Sequence, residues 1–324
     1  MKKKLILILL LFVLGCISVS LGVKAFSWAG LLSGQPADRS VFWLSRLPRL
    51  ISILITGAGL SISGLILQTI TGNKFVSPAV AGTMDWCRLG ILLAIILAGS
   101  QQTWLKLLLA FVVSLAGTLL FLTLLRQLSY QGTYMVPLIG LMLGLVVSSV
   151  TSLIAYRFDV AQNLQSWLQG SFSLIIEGRY ELLYLGLPCL LLAYLYAARF
   201  TVAGMGEATA VNLGLNYKAA TLAGLTLTAL MTSAILVTVG SIAFVGLIIP
   251  NLVSIWHGDH IRHTMFETAA LGSIFLLSCD LISRTLIYPH EIPISVTAGI
   301  IGAGVFLALI LRRRRRVHGK RQTP

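Results

Sequence analysis

Read from the N-terminus, the chain is a succession of long apolar runs separated by short breaks that carry glycine, proline or charge. Apolar windows fall near residues 5–23, 49–70, 79–98, 104–125, 135–156, 180–198, 219–240, 241–256, 265–283 and 293–311, ten in all. A helix that crosses a bilayer needs about 20 apolar residues. The pattern therefore predicts an all-α, polytopic membrane protein with about ten transmembrane helices. The 219–256 stretch is divided only by Gly240-Ser241 and ends after Pro250. Read as one tilted helix it would leave nine spans, an odd number that conflicts with the charges at the two ends.

Composition narrows this picture. The 324 residues are 57% hydrophobic and 10% charged, with a mean hydropathy of +0.92, whereas soluble domains carry about 25% charged residues. Ten spans of about 20 residues leave no room for a sizeable soluble domain. A soluble enzyme and a fused ATP-hydrolysing module are excluded. The expectation is one transmembrane domain over 1–324, with a core of about 25–311 and a basic tail at 312–324.

The net charge is +14, from 24 Lys and Arg against 10 Asp and Glu. In a soluble protein that balance points to nucleic acid; here its location points to the lipid bilayer. Lys2, Lys3 and Lys4 precede the first apolar run, and Arg312 to Arg316 follow the last. The positive-inside rule places both ends in the cytoplasm and requires an even number of spans. No nucleic-acid partner is expected. Cys16, Cys87, Cys189 and Cys279 are scattered, without metal-ligand or CxxC spacing, so no disulfide framework is read. Val13-Leu14-Gly15-Cys16 loosely imitates a lipoprotein signal, but the apolar run continues to Val23 and reads as a first membrane helix.

With the N-terminus inside, residues 24–48, 99–103, 157–179, the turn at 240–241 and 284–292 lie outside; 71–78, 126–134, 199–218 and 257–264 lie inside. Arg46-Leu47-Pro48-Arg49 and Arg284 then sit on the outer side, against the charge rule. They suit either docking of an acidic partner or anchoring to headgroups. On the inner side, Glu207 to Leu213 reads as a short amphipathic helix after Gly206, with Gly214 as its stop. It is either a plain surface loop or a coupling element. No GxxxxGK[ST] loop exists to push it from within this chain. Small residues at Gly57, Gly59, Ser61, Ser63 and Gly64 signal close helix packing. A small-residue helix leading to Phe75-Val76-Ser77-Pro78 is echoed by Gly240 to Gly246 leading to Pro250, a pattern of inverted-repeat transporters.

These stations together resemble the iron–siderophore and cobalamin (FecCD-type) permease family of ABC importers, over about Ala25 to Leu311. The resemblance rests on Arg46-Leu47-Pro48-Arg49, on Gly57-Ala58-Gly59-Leu60-Ser61-Ile62-Ser63-Gly64 with Gln68, and on Gly206-Glu207 through Leu213-Gly214. Gly240 to Leu247 with Pro250, Gly258-Asp259-His260-Ile261-Arg262, Asp280 with Arg284, and Glu291-Ile292-Pro293 continue it in order. It implies a type II importer architecture: two ten-helix permease subunits around a central path, two ATPase subunits below, and an extracytoplasmic substrate-binding lipoprotein above, in a bacterial plasma membrane. It also implies that Arg46, Arg49 and Arg284 pair with the binding protein's carboxylates. Residues 203–217, with Gly206, Glu207, Ala210, Leu213 and Gly214, would contact the ATPase. ATP and Mg would be used by that partner, with no cofactor on this subunit.

Departures refine the resemblance. Asn73-Lys74-Phe75-Val76-Ser77-Pro78 and Ala81-Gly82-Thr83-Met84-Asp85-Trp86-Cys87-Arg88 resemble the branch importing catechol-type siderophores such as petrobactin and anguibactin, which favours a heterodimer over a homodimer. Asn251 and Ser254 replace the family's His and Arg after Pro250, and Ser295 and Gly304 replace its Gly and Pro in the last span. The candidate pathway or gating set is Gln68, Pro78, Asp85, Arg88, Phe244 and Pro250. Asp85 and Arg88, at i and i+3, form either an intrahelical pair or a lining of the path. His257, His260 and His263 fit an exposed turn better than a metal site. No catalytic constellation is placed. The expected function is a permease for a ferric siderophore; the alternatives are a cobalamin or haem permease of the same family and an ion-coupled secondary transporter.

Overall fold

The computed structural model describes residues 2–22, 26–99, 102–127, 135–173, 175–176, 178, 180–258 and 260–319. For 2, 3, 126, 310 and 312–319 it describes the backbone alone, so Asp259 and the side chains of Lys2, Lys3 and Arg312 to Arg316 lie outside the described residues.

Among the described residues the secondary structure is helical apart from two isolated bridges, Gln169 with Ser241 and Ile287 with His290. Each apolar window of the sequence falls on a helix. The first is α1 (Lys2–Ser20), followed by two short helices, α2 (Trp28–Leu32) and α3 (Pro36–Val41). A π-helical turn over Phe42–Arg46 fuses α3 to α4 (Leu47–Ile70), so that Pro36–Ile70 runs as one 35-residue helical stretch. Pro36 falls in the first turn of α3, where a missing N–H removes no internal bond, and Pro48 follows the π-helical turn, in which Leu47 N–H donates to the Phe42 carbonyl five residues back. Next come α5 (Thr83–Ala98), α6 (Thr103–Gln127), α7 (Met135–Arg157) and the eight-residue α8 (Ala161–Leu168). A 3-10 turn over Glu181–Leu185 leads into α9 (Gly186–Leu195), bent by 60° onto α10 (Ala197–Ala203), then α11 (Glu207–Asn212). The chain closes with α12 (Tyr217–Thr238), α13 (Val245–His257), α14 (Ile261–Thr285) and α15 (Ile294–Gly319).

Among the described residues five stretches are long and apolar enough to cross a membrane: Pro36–Ile70, Thr103–Leu125, Met135–Arg157, Tyr217–Thr238 and Ile261–Thr285. The bent α9–α10 pair makes a sixth. Lys4–Ser20, Val245–His257 and Ile294–Leu309 are apolar but shorter.

The bundle is organised around α4. Its residues are buried along nearly the whole length between α14, α12 and α13. Glycine makes that close approach possible. A Cβ on Gly57 would lie 2.6 Å from the Gly272 carbonyl oxygen, and one on Gly64 1.8 Å from that of Gly246. The periphery is different. On α7 only the stripe Gly140, Gly144, Val147, Thr151 and Ala155 is buried, and Leu141, Leu145, Val146, Leu153 and other apolar side chains face outward. In water this face would drive aggregation; against lipid tails it carries no cost.

The Gly240-Ser241 break is a wider feature than the tight turn expected. Residues 239–244 leave the helix, Ser241 N–H donates to the Leu168 carbonyl at 3.0 Å, and Ser171 N–H donates to the Val239 carbonyl at 3.0 Å. The long connection after α7 thus folds back over the α12–α13 turn. Phe244 takes φ = 69°, a left-handed conformation unusual for a bulky side chain, and α13 starts deep in the bundle beside Gly64.

Candidate functional site

Chemistry-bearing residues gather at two places, one at each end of α4. Around Leu47, the arginine end, an ionic clasp joins four elements. Arg49 lies between two carboxylates: its Nη1 donates to Glu291 Oε1 at 2.9 Å and its Nη2 to Asp280 Oδ1 at 2.8 Å. Arg284 Nη2 is 2.5 Å from Asp280 Oδ2 and donates to Ser18 Oγ at 2.6 Å, while its Nη1 donates to the Ser18 and Leu21 carbonyls, each at 3.0 Å. Arg46 also donates to the Leu21 carbonyl. The last carbonyls of a helix have no internal donors, so two arginines cap the end of α1 and complement its dipole. Glu291 reaches onward to Ser173, whose Oγ donates to Oε2 at 2.9 Å.

The clasp brings Arg46, Arg49 and Arg284 together and turns them inward. Arg46 and Arg284 are buried, and the Arg49 side chain is only 12% exposed. The sequence reading assigned no role to the partners Asp280, Glu291, Ser18 and Ser173. One signal was available: Asp280 and Arg284 are four apart on one helix face. Arg49 meets Asp280 and Glu291 across 231 and 242 residues of chain, which no local pattern encodes.

Further along α4 a second cluster surrounds the start of α13. Pro250 has no N–H, so the Gly246 carbonyl four residues earlier loses its helical donor. Gln68, almost fully buried, fills the gap. Its Nε2 lies 3.4 Å from the Gly246 carbonyl oxygen and 3.2 Å from that of Leu247. Pro78 packs against Gly246, and Phe244 packs against Gly302, with its ring 6.5 Å from that of Phe306. Gln68, Pro78, Phe244 and Pro250 therefore form one neighbourhood, where the two Pro-bearing segments of the sequence echo meet. The departures at Lys74, Asn251 and Ser254 also converge: Asn251 Nδ2 donates to the Lys74 carbonyl at 2.7 Å, and Lys74 Nζ to Ser254 Oγ at 3.0 Å. These substitutions fasten the 71–78 segment to α13.

Asp85 and Arg88 stand apart from that cluster. They approach to 3.7 Å on α5, and Asp85 faces Gly144 of α7; their side chains are 24% and 27% exposed. His257 Nδ1 lies 2.9 Å from Glu267 Oε2, and the His260 and His263 rings are 4.5 Å apart. Among the described residues no three His, Cys, Asp or Glu side chains converge as metal ligands.

At the Ile70 end of α4, Gly204 packs on Thr69 and leads into α11. Gly206 has φ = 98° and Gly214 φ = 78°. Leu215 N–H donates to the Ala210 carbonyl and Gly214 N–H to that of Val211, both at 2.9 Å, the two bonds of a Schellman stop. Ala210 is buried against the bundle, whereas Glu207, Val211 and Leu213 are exposed. A six-residue helix pinned at both ends thus offers an apolar and acidic face to solvent.

The sequence pattern of the FecCD transport family matches residues 8–312. The chain is 50% identical over 308 residues to the petrobactin import system permease protein YclN of Bacillus subtilis, covering 95% of this chain and 98% of that one. It is 40% identical over 310 residues to the ferric-anguibactin transport system permease protein FatD of Vibrio anguillarum, covering 94% and 98%. A solved structure described as an inward-facing metal-chelate type ABC transporter superposes with a TM-score of 0.78 at 27% identity, covering 96% of this chain and 98% of that one.

Proposed function

The chain belongs to the FecCD transport family, and from that premise we propose that it is the membrane-spanning permease subunit of an ATP-driven importer of a ferric siderophore, of catecholate type, in a bacterial plasma membrane. The observation that carries this reading is the 50% identity, over nearly the whole of both chains, to a petrobactin permease. In this reading all ten apolar windows cross the bilayer and both termini are cytoplasmic. The arginine end of α4 then faces outward and α11 faces the cytoplasm.

The subunit works with a second permease, two ATPase subunits that bind ATP and Mg, and an extracytoplasmic binding lipoprotein. That the second permease is a different chain is part of this proposal, supported by the branch-like residues 73–78 and 81–88. The exposed face of α11, with Glu207, Val211 and Leu213, is the surface offered to the ATPase. Motion there passes through α12 and α4, since the short turn over 213–216 joins α11 to the one and Gly204 abuts the other. α4 spans about 36 Å at 1.5 Å per residue and reaches from the α11 end to the clasp. The Gln68–Pro250 neighbourhood lies at the α11 end of α4, so tilting of α13 about its interrupted helical bonding is the movement by which the path changes sides. Docking and nucleotide each act only through differential binding to the two states.

The experiment is uptake of a labelled ferric catecholate by cells deleted for the chain and complemented with it. Restored uptake that disappears when the partner ATPase loses its phosphate-binding lysine supports the reading. Uptake indifferent to that lysine would refute it.

A further inference from the structure

The clasp contains two carboxylates in different situations. Asp280 is sealed, 1% exposed, between Arg49 and Arg284. Glu291 is 20% exposed and bridges outward: its Oε1 accepts from Arg49 at 2.9 Å and its Oε2 from Ser173 Oγ at 2.9 Å. The backbone beside it is fixed to α14, because Ile292 N–H donates to the Ser283 carbonyl at 3.2 Å. Glu291 is thus a side-chain link between the arginine end of α4 and the 169–173 segment.

That segment caps the re-entrant turn. Gln169 bridges Ser241, Ser171 N–H donates to the Val239 carbonyl at 3.0 Å, and Ser295 N–H donates to the Gly170 carbonyl at 3.2 Å. Phe172 is buried in the core with Ile53, Val239 and Leu276. Lifting the segment would withdraw Phe172 from beside the α12–α13 turn and unseal this end of the bundle. A cavity of about 260 Å³ gives access to the clasp from its other side, lined in part by Ser20, Gly22, Arg284, Tyr288 and Glu291. It is roomy enough for a carboxylate side chain. Arg49 and Arg284 are matched by Asp280 and Glu291, while Arg46 is engaged with the Leu21 carbonyl, so an arriving carboxylate that pairs with Arg49 or Arg284 must displace one already there. The sealed Asp280 cannot leave without exposing two guanidiniums; Glu291 can turn to solvent at small cost.

We propose that Glu291 is the releasable strut of the outer mouth: it ties the 169–173 segment to α4 through Ser173 and Arg49, and an acidic side chain of a docking protein, entering the cavity beside Arg284, displaces it and frees that segment. Glu291 is therefore a positioning residue. That the acidic protein is the importer's binding protein rests on the function proposed above; the strut and its release do not.

The test is hydrogen exchange on the full chain in lipid nanodiscs, comparing wild type with Glu291→Gln, Ser173→Ala and Glu291→Asp. Glu291→Gln and Ser173→Ala are expected to speed exchange at the amides of Ser171 and Ser295 by about tenfold, the effect of about 1.4 kcal/mol, while α4 and α14 stay protected. Glu291→Asp should recover part of the loss. An oligoglutamate peptide should produce the same loosening in wild type and add nothing in Glu291→Gln, and an oligolysine peptide should do neither. Unchanged exchange at Ser171 and Ser295 in both variants, or equal loosening of α4 and α14, overturns the strut; indifference of wild type to oligoglutamate overturns its release. Should both results hold while the binding protein leaves exchange unchanged, the docking reading fails and the strut stands.

Discussion

Replacing Gln68 by Leu removes the donor that stands in for the missing N–H of Pro250. The Leu247 carbonyl keeps a partner in Asn251 Nδ2 at 2.7 Å, so the loss falls on the Gly246 carbonyl alone. The bond removed is long, at 3.4 Å, and weak in itself, but the substitution leaves the Gly246 carbonyl buried without a donor, a cost of about 1 kcal/mol. Pro250→Ala returns an N–H that can serve Gly246 through the ordinary helical bond. The double-mutant cycle should therefore show coupling of about 1 kcal/mol, about fivefold in the unfolding equilibrium: Gln68→Leu costs more with proline at 250 than with alanine. The assay is denaturation in mixed micelles, followed by tryptophan fluorescence. Strict additivity of the two substitutions would refute the idea that Gln68 is present because of Pro250.

Other consequences are as direct. Gly64→Ala puts a methyl 1.8 Å from the Gly246 carbonyl oxygen and forces α4 and α13 apart, so a loss of about 3 kcal/mol or more should appear as a lowered Tm or failed membrane assembly. Asp280→Asn leaves Arg49 and Arg284 buried without their shared counter-charge, and destabilisation of about 3–5 kcal/mol is expected in the same unfolding assay. Leu213→Asp alters an exposed position, so the chain should fold normally, lose co-purification with the ATPase and lose ATP-dependent uptake. Gly214→Ala at φ = 78° should cost about 1 kcal/mol and weaken the same co-purification less severely.

The periodic part of this structure was legible in the sequence. Apolar windows found the helices because burial and lipid exposure both select apolar residues in long runs, and Gly206, Gly214 and the Glu207 helix between them were readable because caps are local chemistry. The Gly57–Gly64 stripe announced close packing without naming Gly272 and Gly246 as the surfaces approached. The width of the α12–α13 connection is not legible because nothing local marks Phe244 as left-handed; its side chain lies against Gly302, 58 residues further along the chain. The arginines were visible, but their inward orientation was not, since Asp280 and Glu291 come from the far end of the chain. For the same reason, charge reversal at Arg284 tests docking poorly: a new carboxylate beside Asp280 would loosen α1 and α14 before any partner arrived.

The central claim is that this chain supplies a gated path and takes its work from a separate ATPase. Sealed proteoliposomes containing the purified chain alone, loaded with a gradient-free buffer and offered a labelled ferric catecholate, measure it most directly. The account predicts no accumulation above the external concentration until the partner permease, ATPase, binding protein and ATP are all supplied. Accumulation by the lone chain would contradict it.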